Sequence, residues 1–252
     1  MHFFRKGNIM ENLLNVIFSD KKVVVITGAG VSTLSGIADF RGKNGLYTKD
    51  ESVEYKLTRT YFLEHPKEFY NFYKENMIVK NLEPNVIHQT LATLEEKGYI
   101  ECIITQNIDN LHEKAGSKNV IAMHGNGEKF YCTRCKKSYS LEEYLEDGYI
   151  CDKCKGVIRP DVVLYEESIA LYNRKKAVEN IERADVVIVL GSSLVVSTVA
   201  NLLDWFIVKN NVNENDNKLF IINDQDTPYD CYSSKYSDDL GKIFTRIRSF
   251  LK

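Results

Sequence analysis

The chain has 252 residues, 44% of them hydrophobic, enough to bury one core of moderate size, alone or with a small module beside it. Its 33 basic and 35 acidic residues leave a net charge of −2 with the signs well mixed, which offers no general attraction for nucleic acid or a membrane surface. No apolar run approaches the ~20 residues of a membrane-spanning helix. Met1-His2-Phe3-Phe4-Arg5-Lys6-Gly7 carries charge with no apolar stretch of signal-peptide length behind it, so a cytoplasmic protein is expected.

In chain order, the first predicted strand is 23–27, the apolar run Val23-Val24-Val25-Ile26 closed by Thr27. It runs into Gly28-Ala29-Gly30-Val31-Ser32, small residues where a chain leaving a buried strand turns tightly into a helix. Glycine lets backbone approach a ligand closely, and the unpaired N–H groups of a helix start favour an anion, so this turn suits the phosphates of a dinucleotide. The dehydrogenase fingerprint is only half met, because Thr33 stands where its third glycine belongs and no acidic residue ends the second strand, which argues against hydride transfer. Asp39-Phe40-Arg41-Gly42 follows, a loop suited to fold over a bound cofactor with Arg41 toward phosphate and Phe40 toward an apolar ring.

Further strands are predicted at 100–105, 119–123, 161–164, 185–190 and 218–223, with helices between them, the α/β pattern of a parallel sheet covered on both faces. The closing helix lays Leu240, Ile243, Phe244, Ile247 and Leu251 as one stripe on that sheet. Two insertions interrupt the rhythm. Residues 43–83 show no strand signal and carry Tyr61, Phe62, Phe69, Tyr70, Phe72 and Tyr73, which predicts a helical cover over the sheet edge. Residues 126–157 carry Cys132-x2-Cys135 and, after fifteen residues, Cys151-x2-Cys154. Two such knuckles close tetrahedrally around one Zn²⁺, and four sulfurs leave no open position for water, so the metal is expected to be structural. A reducing cytoplasm disfavours disulfides as the alternative. Cys102 and Cys231 lack partners of this kind and are expected to pack as small apolar residues.

Polar groups gather at the carboxyl ends of the predicted strands, where α/β proteins place their sites. Thr105-Gln106-Asn107-Ile108-Asp109-Asn110-Leu111-His112 follows one strand, His124-Gly125-Asn126 another, Gly191-Ser192-Ser193-Leu194-Val195 a third and Asn223-Asp224 a fourth. Such amides, hydroxyls and a carboxylate suit a ribose and an amide ring, with a histidine as base near neutral pH. Helix capping explains any one of them equally well, but not four such rims together.

In this order the segments resemble the sirtuins, NAD-dependent protein lysine deacylases, along nearly the whole chain. The resemblance implies a Rossmann-like NAD-binding domain of residues 1–42, 84–125 and 158–252, with the insertions 43–83 and 126–157 forming a small domain around a four-cysteine zinc ribbon. It makes Gly28, Ala29, Gly30 and Ser32 the cofactor turn, and Asp39, Phe40, Arg41 and Tyr47 part of the cofactor loop. Gln106, Asn107, Ile108 and Asp109 become the ribose and nicotinamide segment, and His124 the catalytic histidine. Gly191, Ser192 and Ser193, with Asn223, Asp224 and Leu240, complete the cofactor contacts. The substrate strand is Arg159-Pro160-Asp161-Val162-Val163-Leu164-Tyr165-Glu166, where a peptide would add between Val162, Val163, Leu164 and Tyr165 on one side and Val195 on the other.

The implied chemistry is attack of the acyl-lysine carbonyl oxygen on the ribose carbon that bears nicotinamide, followed by passage of the acyl group to the sugar. Asn107 and Asp109 would position the ribose and carboxamide, and His124 would take a proton from a ribose hydroxyl. Ala38 and Thr198 stand where the family commonly has proline. Members that prefer succinyl groups pair a tyrosine with an arginine three residues on; here the pair is Tyr73 and Asn76, so acetyl or apolar acyl groups are expected. Expected partners are acyl-lysine proteins or peptides as substrates, with no stable nucleic-acid binding and no membrane, and the enzyme is expected to be a monomer. An NAD glycohydrolase or mono-ADP-ribosyltransferase using the same pocket stays open, as does a non-catalytic zinc-ribbon binding module.

Overall fold

The structure is a computed structural model that describes residues 6–39, 45, 52–214 and 216–251. Its strands are β1 (Val23–Thr27), β2 (Cys102–Thr105), β3 (Val120–Ala122), β4 (Gly125–Cys132), β5 (Ser138–Tyr139), β6 (Ile158–Val162), β7 (Val186–Leu190), β8 (Leu219–Ile222) and β9 (Ser234–Tyr236). The helices are α1 (Lys6–Ile17), α2 (Ser52–Lys56), α3 (Arg59–Glu64), α4 (Pro66–Asn76), α5 (Val86–Glu96), α6 (Leu111–Lys114), α7 (Leu141–Asp147), α8 (Leu171–Arg183), α9 (Ser197–Asn210) and α10 (Leu240–Ser249).

Six strands form one parallel sheet in the order β3-β2-β1-β7-β8-β9. Every residue of β1 is β-branched and buried, as a central strand covered on both faces requires. Alternate residues serve opposite faces. Val23 and Val25 join Leu13 and Ile17 of α1, Leu91 and Leu94 of α5, and Ile243, Phe244 and Ile247 of α10. Val24 and Ile26 join Ala177 and Ile181 of α8 and Leu203 and Phe206 of α9. Each such fully buried aliphatic contributes about 1.5–3 kcal/mol. The predicted stripe of α10 packs as expected, with Leu240 and Leu251 at its half-buried margins.

The second sheet is the antiparallel β5-β4-β6. It corrects the strand predicted at 161–164, which starts earlier, at Ile158, and pairs with β4 instead of joining the parallel sheet. Pro160 has no N–H to give a ladder, and β6 accommodates it as an edge strand. The aromatic insertion is helical in its described part, as predicted, but it lies on this ribbon instead of the edge of the parallel sheet. Phe62, Phe69, Phe72 and Tyr73 share one core with Phe130, Tyr139, Tyr144 and Ile158. Phe130 and Tyr144 stack with ring centroids 4.2 Å apart. β9 has no signal in the sequence, since its residues are polar and only half-buried. Cys102 is buried as expected, whereas Cys231 is exposed, against expectation. Among the described residues no helix is long and apolar enough to cross a membrane.

Candidate active site and metal centre

On either side of β1 the strand order runs away in opposite directions, with β2 and β3 on one side and β7 and β8 on the other. Such a reversal opens a crevice at the carboxyl ends of the strands. The turn leaving β1 sits there, and it enters a 3-10 helix, Ala29–Ser35, instead of an α-helix. Its glycines are required by crowding. Gly28 has an extended backbone with φ of −120°, but a Cβ there would lie 2.6 Å from the Gly191 carbonyl oxygen and 2.8 Å from Ser192 Cβ. A Cβ on Gly30 would lie 2.7 Å from Gly191 Cα. This turn is thus pressed onto the loop that leaves β7, and the Gly30 N–H donates to the Gly191 carbonyl at 2.9 Å. Ala29 is half-buried between them, and Asp39 is half-buried beyond the 3-10 helix. Phe40, Arg41 and Tyr47 lie outside the described residues.

Ser32 is the hub of the crevice. It is buried, its hydroxyl donates to Asp109 Oδ2 at 2.6 Å and accepts from Asn107 Nδ2 at 3.1 Å. His88 Nε2 stands 3.5 Å away on the remaining side. His88 Nδ1 accepts the Asn85 N–H at 3.3 Å, which leaves the ring proton on Nε2, facing Ser32. Asn107 Nδ2 also donates to the Gly28 carbonyl at 3.1 Å, and Asp109 Oδ1 accepts the Leu111 N–H at 3.0 Å. Asp109 therefore caps the next turn as well as facing the site. Sequence reasoning missed Asn85 and His88. Their signal is the Asn-x-x-His spacing of a capping box at the start of α5. His112, at the end of its motif, is buried against Thr27, with Nε2 3.0 Å from the Thr27 hydroxyl. Ile108 is half-buried, and its carbonyl accepts the Gly127 N–H at 2.8 Å.

His124 follows β3. Its Nδ1 is 2.9 Å from the Gln106 carbonyl; because a carbonyl only accepts, Nδ1 carries the proton and Nε2 is the basic atom. Burial lowers the pKa of His124, partly offset by that hydrogen bond, so the imidazole is neutral near pH 7. The Gln106 side chain donates to Ser192 Oγ at 2.7 Å, and Ser192 Oγ accepts the Leu194 N–H at 3.2 Å. Gln106 thus fixes both the histidine and the loop after β7. Gly191 and Ser192 are buried there, Ser193 is half-buried and Val195 exposed. Asn223 is buried at the end of β8, its Nδ2 donating to the Gln225 carbonyl at 3.1 Å. Asp224 beside it is exposed and Leu240, the first residue of α10, is half-buried.

Beyond β6 the chain is tied on several sides. Val163 N–H donates to the His124 carbonyl at 2.9 Å and Tyr165 N–H to the Leu57 carbonyl at 3.0 Å. Leu164 N–H donates to Glu167 Oε2 at 2.9 Å, and Glu167 holds the buried Arg159 in a two-pronged ion pair. These three N–H groups are committed within the chain. Val162 and Leu164 are buried. A cleft of about 560 Å³ opens alongside, lined by Arg59, Tyr131, Asp161, Val163 and Glu166 among others. Tyr73 is fully buried, its hydroxyl has no hydrogen-bond partner among the described residues, and burial raises its pKa. Asn76, one turn on, turns its amide back to the Phe72 carbonyl at 2.9 Å.

The sulfurs of Cys132, Cys135, Cys151 and Cys154 all lie within 4.8 Å of one another. Cys132 and Cys154 approach to 3.5 Å and Cys135 and Cys151 to 3.6 Å, near the ~3.8 Å edge of a tetrahedron with Zn–S bonds of about 2.3 Å. The Tyr139 hydroxyl lies between Cys151 Sγ, at 3.0 Å, and Asp152 Oδ1, at 2.5 Å, its one proton shared between them. A Cβ on Gly156 would fall 2.9 Å from Cys132 Sγ. The four cysteines fit a structural zinc.

A dinucleotide-type crevice on a doubly covered parallel sheet, with a tetrathiolate ribbon and helical insertion beside it, defines an α/β protein built to handle NAD next to a zinc-stabilised module. A model of the Sir2 family matches residues 28–198. The chain is 44% identical to an NAD-dependent protein deacetylase of Clostridium tetani, over 92% of this chain and 94% of that one. It is 41% identical to an NAD-dependent protein deacetylase of Thermotoga maritima, over 94% of this chain and 96% of that one. Among solved structures, Sir2 with a p53 peptide and NAD+ superposes with a TM-score of 0.84 at 40% identity, covering 96% of this chain and 98% of that one. Sir2 bound to a propionylated peptide superposes with a TM-score of 0.83 at 38% identity and the same coverage. The chain belongs to the Sir2 family.

Proposed function

We infer that the protein is an NAD-dependent protein lysine deacylase that releases nicotinamide, free lysine and O-acyl-ADP-ribose. The observation that carries the chemistry is the neutral His124, whose Nδ1–H is given to the Gln106 carbonyl so that Nε2 stays free of its own proton. When bound, NAD supplies an electrophilic ribose carbon, a leaving group that is already positively charged, and the hydroxyls that receive the acyl group. The residues of this chain orient and deprotonate. Asn107 and Asp109, locked through Ser32, hold the nicotinamide ribose and carboxamide in reactive geometry, a role in which a displacement of about 1 Å costs roughly a hundredfold in rate. His124 Nε2 takes the proton of a ribose hydroxyl, a contribution of about 10²–10⁴. Gly28, Gly30, Gly191 and Ser192 seat the phosphates, and Asn223, Asp224 and Leu240 flank the adenosine side.

The deacetylase names of the relatives and the peptide complexes of the Sir2 structures support acyl-lysine peptides as substrates. The amide of Asn76, bonded back to its own helix, offers no charge to an acidic acyl chain, which favours acetyl and apolar acyl groups. The enzyme acts as a monomer in the cytoplasm in this reading. Two measurements test it together. Acetyl-lysine peptide is turned over faster than succinyl-lysine peptide, and His124→Gln lowers deacetylation by about a hundredfold or more. A faster succinyl reaction contradicts the acyl assignment, and an active H124Q contradicts the base.

A further inference from the structure

Thr198 is the second residue of α9, and its hydroxyl lies 3.4 Å from His124 Nε2. The start of this helix is unusual in how it uses its hydroxyls. Ser and Thr are favoured at the N-cap, where the side chain satisfies a free N–H, yet here the N-cap is Val196, with no side-chain cap. The Thr198 hydroxyl is instead turned to the histidine.

His124 has few groups with which to carry a proton. Among the described residues it makes no ion pair; Asp161 of β6 is exposed beside the neighbouring cleft, and four further carboxylates on the elements around it are held elsewhere. Asp109, after β2, faces Ser32 and the Leu111 N–H. Glu128 of β4 binds Lys114, Glu167 beyond β6 binds Arg159, and Asp204 of α9 accepts from Tyr229. Two oxygens remain, the Gln106 carbonyl at Nδ1 and the Thr198 hydroxyl at Nε2. A hydroxyl serves both states of the ring, donating to the neutral nitrogen and accepting from the protonated one, and the charged bond is the stronger by about twofold.

We propose that Thr198 is a positioning residue of the deacylase reaction: in the free enzyme its hydroxyl, 3.4 Å from His124 Nε2, holds the ring in the orientation in which it meets the ribose hydroxyl. The proposal rests on the reading of His124 as the general base. The same contact means that the ribose hydroxyl displaces the Thr198 hydroxyl from Nε2 when the cofactor is seated.

The test uses the full chain with Thr198→Val, which keeps the branched shape without the hydroxyl, and Thr198→Ser, which keeps the hydroxyl. His124 is titrated by NMR in the free protein, and the acid limb of kcat/KM for peptide deacetylation, which reports the free enzyme, is measured alongside. T198V lowers the titration midpoint and the acid limb together by about half a pH unit, and T198S leaves both at their wild-type positions. An unmoved or raised midpoint in T198V, or a T198S that behaves like T198V, overturns the proposal. If H124Q still deacetylates while the midpoints shift as expected, the contact is real but the assignment of His124 as base falls, and the kinetic role of Thr198 falls with it.

Discussion

At the scale of single residues, Gly28 carries more than its place in a glycine-rich turn implies. Its dihedral angles are open to any residue, and what forbids a side chain is the Gly191 carbonyl 2.6 Å from the site of a Cβ. Gly28→Ala therefore has to push the cofactor turn away from the loop after β7. The expected cost is about 1–3 kcal/mol of stability, with roughly a tenfold or greater rise in KM for NAD and little change in KM for peptide. Steady-state kinetics and urea unfolding read these out. The buried histidines give the second residue-scale prediction. Burial lowers the pKa of His88 to about 4, and burial with the neighbouring His88 lowers that of His112 to about 3, against about 6.5 in an unfolded chain. The unfolded chain binds more protons below about pH 6.5, so the stability these residues contribute is complete above that pH. It is lost as pH falls from there toward the depressed values of the folded state, at about 1.4 kcal/mol per pH unit for each extra proton the unfolded chain binds. Urea midpoints at pH 7, 6 and 5 should fall progressively, and less steeply in His88→Asn; flat midpoints count against neutral burial. His88 was illegible because its meaning depends on two tertiary neighbours, Ser32 and Asn85, from separate segments.

At the scale of elements, the ribbon is held by its four sulfurs and by the aromatic core it shares with the helical insertion. Chelation of the metal should unfold this unit while the parallel sheet, with its two separate cores, keeps its secondary structure. Far-UV circular dichroism then loses little, near-UV signal from the tyrosine-rich core collapses, and deacetylation stops; full activity after verified zinc removal contradicts a structural role. The sequence carried the four cysteines and the central strands plainly, because ligand spacing and unbroken β-branched runs are local signals. It misplaced β6, whose pairing with β4 is long-range and whose Pro160 looks like a strand breaker. It was silent on β9, which is short, polar and held only at the sheet's margin. The aromatics of the insertion declared a helix but not the surface it covers, since amphipathicity fixes a face without naming its partner.

At the scale of the whole molecule, the fold sets two units against one crevice. The parallel sheet brings Ser32, Asn107, Asp109, Gln106 and Ser192 to a common rim, and the strap beyond β6 ties the ribbon to the His124 carbonyl. If His124 deprotonates a ribose hydroxyl, as proposed, it has a purpose only when an acyl group arrives to be transferred, which would couple cofactor cleavage to peptide binding. The direct measurement is nicotinamide release from NAD by the purified protein, with and without an acetyl-lysine peptide, with the peptide mass followed in the same tube. Release that requires the peptide, matched mole for mole by loss of its acetyl group, is the result expected of a deacylase. Release at the same rate without peptide contradicts that account and makes the crevice the site of a glycohydrolase.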